Sequence, residues 1–201
     1  MRIKPQQISL SLLQDLDEFL IPYQHDNLTS LVRELDRPHV ASFNFKNVFF
    51  YLYWENNTKV EEYTSHTPGY LITLYKTSRL AKIHRLVTAN TINTSSYSFN
   101  RHGSRSKYIL KPENVVEVGN HNIWQFRTGK RQIKVNETLG LSHHYRICEF
   151  GGFACMKKPS VLDERTHYWA QRLLVRVDQA CKNIFNDEGK CPQAPQLGSP
   201  Y

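Results

Sequence analysis

Apolar residues keep helical spacing in two stretches of this chain and elsewhere fall into short alternating or continuous runs, a mixture that points to an α/β fold. The first stretch is Leu28, Leu31, Val32 and Leu35, which follow the cap candidate Asp26 and end before Pro38. The second is Trp169, Leu173, Val177, Ala180 and Ile184 behind Asp163, which predicts one long amphipathic C-terminal helix. Strands are expected where Ile8, Leu10 and Leu12 alternate with Ser9 and Ser11, and where Ala41, Phe43 and Phe45 alternate with polar residues. The run 48–54 is aromatic and apolar, which suits a more buried strand, and 70–75, 108–110, 115–118 and 141–147 complete the strand candidates. Residues 55–68 and 88–105 are polar and read as loops. With no internal repeat and no interior linker, 1–187 is expected to be one unit and 188–201 a disordered tail.

A chain of 201 residues with 40% hydrophobic content is long enough to bury a sizeable core. Lys and Arg number 26 against 18 Asp and Glu, and the net charge of +8 would suit nucleic acid, an anionic membrane face or a phosphorylated substrate. The cations are scattered, and the cluster at 101–105 lacks the interleaved aromatic residues of nucleic-acid modules, so no nucleic-acid partner is expected.

No run of about 18 apolar residues occurs, so no span of a bilayer is expected from this sequence. Residues 1–14 lack the unbroken apolar centre of a signal peptide, which places any targeting or membrane segment outside this chain. Compartment is argued indirectly. Asn-x-Ser/Thr sequons begin at Asn27, Asn56, Asn93 and Asn136, and they matter only in a chain that passes through a secretory lumen. Cys148, Cys155, Cys181 and Cys191 all lie in the last third and suit a local disulfide framework with three possible connectivities. The rival reading, a zinc site, lacks any Cys-x-x-Cys pair.

The chemistry concentrates in Asp15-Leu16-Asp17-Glu18. Read as the end of an extended run, Asp15 and Asp17 leave the backbone on the same side and can share one cation. Two hard carboxylates with open positions for diphosphate oxygens suit Mg²⁺ or Mn²⁺. A bare Asp-x-Asp is otherwise a solvated acidic turn. The apolar flanks, 10–13 before and 19–22 after, set this one apart.

The string Asp15-Leu16-Asp17-Glu18-Phe19-Leu20-Ile21-Pro22 resembles the Asp-x-Asp segment of family 92 glycosyltransferases. Two later strings resemble the same family in the same order: 106–121, Ser-Lys-Tyr-Ile-Leu-Lys-Pro-Glu-Asn-Val-Val-Glu-Val-Gly-Asn-His, and His144-Tyr145-Arg146 with the cysteines and helix that follow. The resemblance implies a GT-A-like mixed sheet and transfer of a hexose, galactose favoured, from a sugar nucleotide such as UDP-galactose to a glycan or glycoprotein acceptor. It implies Mn²⁺ or Mg²⁺ as cofactor and the Golgi or another secretory lumen as location, with the full-length form a single-pass membrane protein.

On that basis Asp15 and Asp17 are the expected metal ligands, completed by a histidine. His144 is favoured because it follows an apolar strand and sits in the His-Tyr-Arg string; His121 is the alternative, or else lines the acceptor pocket. Lys107 and Arg146 are candidate partners of the diphosphate, with surface charge or a salt bridge as the plainer reading of each. Glu61 and Glu62 are the candidates for the catalytic base that takes the acceptor hydroxyl proton. Tyr51, Tyr53 and Trp54 are candidates to stack on sugar, although such an aromatic run is more often core.

Two other classes compete. A glycoside hydrolase needs its carboxylates at least about 5 Å apart and needs no metal, which suits adjacent Asp15 and Asp17 poorly. A catalytically silent glycan-binding or scaffold relative would keep the same fold. Only fourteen residues precede Asp15, so the N-terminal nucleotide-binding half of a GT-A fold is expected to be missing. These residues alone are then expected to bind a sugar nucleotide weakly and to expose an apolar strand edge.

Overall fold

The computed structural model describes residues 9–51, 79–81, 102–148, 160–163 and 165–185. Within them the strands are β1 (Ser11–Leu13), β2 (Glu18–Pro22), β3 (Val40–Phe45), β4 (Asn47–Tyr51), β5 (Arg79–Ala81), β6 (Lys107–Leu110), β7 (Val115–Val118), β8 (Ile123–Phe126), β9 (Arg131–Lys134), β10 (Gly140–Arg146) and β11 (Ser160–Leu162). The α-helices are α1 (Leu28–Leu35) and α2 (His167–Ile184). The class is mixed α/β. No helix among the described residues is long and apolar enough to cross a membrane.

The chain divides into two compact units, one of Met1–Val48 with Ser98–His143 and the other of Phe49–Tyr97 with His144–Tyr201. The first unit is built on a four-stranded sheet in the order β1-β6-β3-β9. β6 pairs antiparallel with β1 and with β3, while β3 and β9 run parallel. β6 is therefore central, and all four of its residues are buried. One core joins α1 to this sheet through Leu20, Leu31, Val32, Val40, Phe43, Phe45, Ile109 and Val135. The amphipathic spacing of α1 explains that packing, since Leu31 and Val32 are the buried pair on its inner stripe. A second, smaller cluster joins Tyr108, Leu110 and Ile123 to Leu13, Val115 and Phe126, and so packs the β7–β8 hairpin onto β6.

The start of α1 differs from the cap expected. The cap of α1 is Asn27, not Asp26, because the Asn27 side-chain oxygen accepts the Ser30 N–H at 2.9 Å. The cap position of α2 is Thr166, and just before it Asp163 accepts the Arg165 N–H at 2.9 Å. α2 runs for 18 residues and belongs to the second unit, as do β5 and β11, which pair antiparallel.

The described cysteines, Cys148 and Cys181, are both disulfide-bonded. Tyr51 is buried at 3% exposure, so the plainer reading of it as core is the correct one. Tyr53, Trp54 and the strand expected over 70–75 lie outside the described residues, as do the tail and most of the loops at 55–68 and 88–105.

Candidate active site

The register of the central sheet decides what meets Asp15. β1 runs antiparallel to β6 with Ser11 opposite Leu110 and Leu13 opposite Tyr108, so the residues just past Leu13 arrive beside Lys107 at the start of β6. There the chain turns. Glu18 N–H donates to the Asp15 carbonyl at 3.2 Å, and the Asp15 N–H donates back to a Glu18 carboxylate oxygen at 3.3 Å. Asp15 and Asp17 consequently occupy a turn between β1 and β2 rather than the end of an extended run. The same-side argument of strand alternation does not apply to them, because the turn hydrogen bond bends the backbone between them.

Lys107 holds that turn from beneath. Its side chain is 0% exposed, and its Nζ lies 2.8 Å from Asp15 Oδ2, 3.0 Å from Glu18 Oε2 and 3.0 Å from Asn120 Oδ1. An ammonium group has three N–H donors and here meets three acceptors, so contact with a diphosphate would require it to leave one of them. Glu18, 1% exposed, is further held by Asn47, whose amide donates to its second oxygen at 3.1 Å. Asp15 and Asp17 are both exposed, with the Asp15 side chain at 52%.

Asn120 and His121 enter from the turn of the β7–β8 hairpin. That turn is closed by Gly119 N–H to the Asn122 carbonyl at 2.8 Å and is tied to β6 by the Tyr108 hydroxyl, which donates to the Gly119 carbonyl. Burial pushes the Tyr108 phenol above its ordinary range, which keeps it protonated as that donor. Consecutive residues of β6, Lys107 and Tyr108, thus fix consecutive residues of the turn, Asn120 and Gly119. His121 is half-buried, and its Nδ1 has no partner among the described residues.

The first unit therefore brings together Asp15, Asp17, Lys107 and, through Asn120, His121. His144 and Arg146 belong to the second unit. There His144 meets the edge of Phe49 with centroids 5.4 Å apart, Arg146 lies over the same ring at 5.1 Å, and Tyr145 stacks on Phe50 at 4.9 Å. Glu61 and Glu62 lie outside the described residues. Sequence reasoning missed Glu18 and Asn120. The signal for Glu18 was its place in an acidic quartet opening an apolar run; that for Asn120 was the Gly-Asn dipeptide of a turn.

Among the described residues no group of three or more His, Cys, Asp or Glu is arranged to hold a metal ion. The exposed carboxylates of Asp15 and Asp17 are hard oxygen donors of the kind a divalent ion takes when water and other oxygens fill its remaining positions.

Comparison with curated protein sequences gives no match. A family model described as Glycosyltransferase family 92 matches residues 6–184, which takes in the Asp15–Glu18 turn, β6 with Lys107, the Gly119–Asn122 turn and α2. By that match over most of its length, the chain belongs to glycosyltransferase family 92.

Proposed function

We propose that this glycosyltransferase moves a hexose, galactose favoured, from a sugar nucleotide to a glycan in a metal-dependent reaction, with Asp15 and Asp17 holding Mn²⁺ or Mg²⁺. The observation that carries the reading is the buried Lys107 ammonium bracing Asp15 and Glu18, which fixes an exposed carboxylate turn inside the family-matched segment. A divalent ion bound there would stabilise the negative charge gathered by the departing diphosphate.

The protein's own part is positioning. Lys107, Glu18 and Asn47 form a buried, hydrogen-bonded base, so the carboxylates above it are held in place before substrate arrives. His121 is the third ligand or acceptor-side group nearest this base in the chain of contacts, through Asn120. His144, Arg146, Glu61 and Glu62 keep the roles expected from the family resemblance: metal ligand, diphosphate partner and candidate bases. A GT-A-like arrangement and a secretory-lumen location complete the proposal. The disulfide-bonded Cys148 and Cys181 support an oxidising compartment.

The test is sugar transfer and donor hydrolysis from a panel of UDP- and GDP-sugars, with Mn²⁺ and with EDTA. Activity confined to one UDP-hexose and lost in EDTA is the expected result. Equal activity in EDTA would remove the metal, and binding of glycans with no turnover of any donor would favour the silent glycan-binding relative.

A further inference from the structure

We infer that Trp124 is a stacking platform for a hexopyranose ring of the glycan acceptor, a role that rests on reading this chain as a transferase acting on glycans. Trp124 lies on β8 and is 69% exposed, the largest apolar side chain left open to solvent in the described part of the first unit. A lone exposed apolar residue is ordinary, but Trp124 shares its hairpin with the exposed Val116 and Val118, and grouped apolar surface of this kind marks interaction sites.

The ring is held in place. A Cβ built on Gly119 would lie 2.5 Å from Trp124 Cε2 and Nε1 and 2.8 Å from Cζ2, so the indole rests directly against a backbone position that only glycine leaves clear. One side of the indole is thus applied to the Gly119 backbone, and the residue's high exposure lies away from it. Val116 and Val118 on β7, 58% and 41% exposed, add apolar surface on the same hairpin. A pyranose presents a face of C–H groups and a rim of hydroxyls. A fixed, flat aromatic surface matches the face, and the polar residues of the adjoining turn, Asn120, His121 and Asn122, offer donors and acceptors for the rim.

Position supplies the second argument. Gly119, under the indole, is hydrogen-bonded through its carbonyl to Tyr108, and the next residue, Asn120, to Lys107, which pairs with Asp15. The platform is therefore built into the same braced assembly as the carboxylate turn. An acceptor sugar stacked there sits on the hairpin whose turn Tyr108 and Lys107 connect to Asp15.

The experiment is calorimetric titration of free oligosaccharides ending in mannose, N-acetylglucosamine or galactose, without sugar nucleotide or metal, into the wild type, Trp124→Ala, Trp124→Phe and Gly119→Ala. At least one oligosaccharide is expected to bind the wild type. Trp124→Ala should weaken it on the order of tenfold or more, with Trp124→Phe retaining most of the affinity. Gly119→Ala, whose new methyl group displaces the ring, should behave like Trp124→Ala. Circular dichroism checks the fold, which an exposed side chain should not disturb. Binding by none of the oligosaccharides, or unchanged binding by Trp124→Ala, overturns the inference. Weakened binding in Trp124→Ala together with no transfer from any donor in a parallel assay would keep Trp124 as a sugar platform but overturn its role on an acceptor, along with the transferase reading.

Discussion

Lys107 Nζ lies 2.8 Å from Asp15 Oδ2 although the two residues are 92 positions apart in sequence, and the same ammonium lies 3.0 Å from the buried Glu18 carboxylate. Replacing Lys107 by Met takes the ammonium away from the buried Glu18 carboxylate, which is expected to destabilise the fold by about 3–5 kcal/mol. Adding Glu18→Gln to Lys107→Met should recover a substantial part of that loss, since the stranded charge is then gone. Urea unfolding of the single and double variants measures both; additive losses would show that the pair is not coupled.

Gly140→Ala should destabilise by about 1–3 kcal/mol through overpacking. A Cβ at Gly140 would lie 3.0 Å from the Ile21 carbonyl oxygen and 3.2 Å from the Phe45 ring, and the backbone oxygen cannot swing aside as a flexible side chain would. A thermal midpoint equal to that of the wild type would show that β2 and β10 have room to part here.

How far the sequence carried depended on whether the determining contact was local. α1 was legible from Leu28, Leu31, Val32 and Leu35, because one helix face is written in consecutive residues. The cores of β3, β6, β7 and β10 were legible from alternating or continuous apolar runs. β8 and β9 were not, since Ile-Trp-Gln-Phe and Arg-Gln-Ile-Lys are short and their strand character comes from pairing with β7 and β3. The Asp15–Glu18 segment was misjudged as the end of an extended run, because the hydrogen bond that makes it a turn is not written in its spacing. Its brace was beyond reach, because Lys107 meets it only through the register of β1 on β6.

His102 should make stability depend on pH. Burial, followed by the positive charges of Lys46 and Lys134, holds its imidazole below the usual 6.5, outweighing the nearby Glu137. Its Nδ1 also pairs with Asn44 at 2.6 Å. A group whose folded pKa is depressed binds its proton more readily when unfolded, so folding loses stability as pH falls through 6.5 and below. His102→Gln should therefore lose less stability than the wild type between pH 7 and pH 5 in urea titrations. Parallel pH profiles for the two would contradict this.

Asn136 should carry a glycan when the protein is expressed through a secretory pathway. It is exposed in a tight turn, where its side-chain oxygen accepts from Thr138 N–H at 2.9 Å and Thr138 Oγ1 at 2.8 Å. The sequons at Asn56 and Asn93 lie outside the described residues, and Asn27 is occupied as the cap of α1. Glycosidase treatment should shift the wild-type band, and Asn136→Gln should remove part of that shift; identical bands would place the protein outside the glycosylation route.

The central claim is that the exposed turn braced by Lys107 holds the divalent ion. Asp17 is exposed, so Asp17→Asn should change stability by no more than about 0.5 kcal/mol while removing one of the two charged ligands. The direct measurement is calorimetric titration of Mn²⁺ in the presence of UDP into wild type and Asp17→Asn, alongside transfer rates. The account predicts saturable Mn²⁺ binding to the wild type, at least tenfold weaker binding to a folded Asp17→Asn, and loss of transfer in the variant. Equal Mn²⁺ affinity and near wild-type transfer in Asp17→Asn would contradict it.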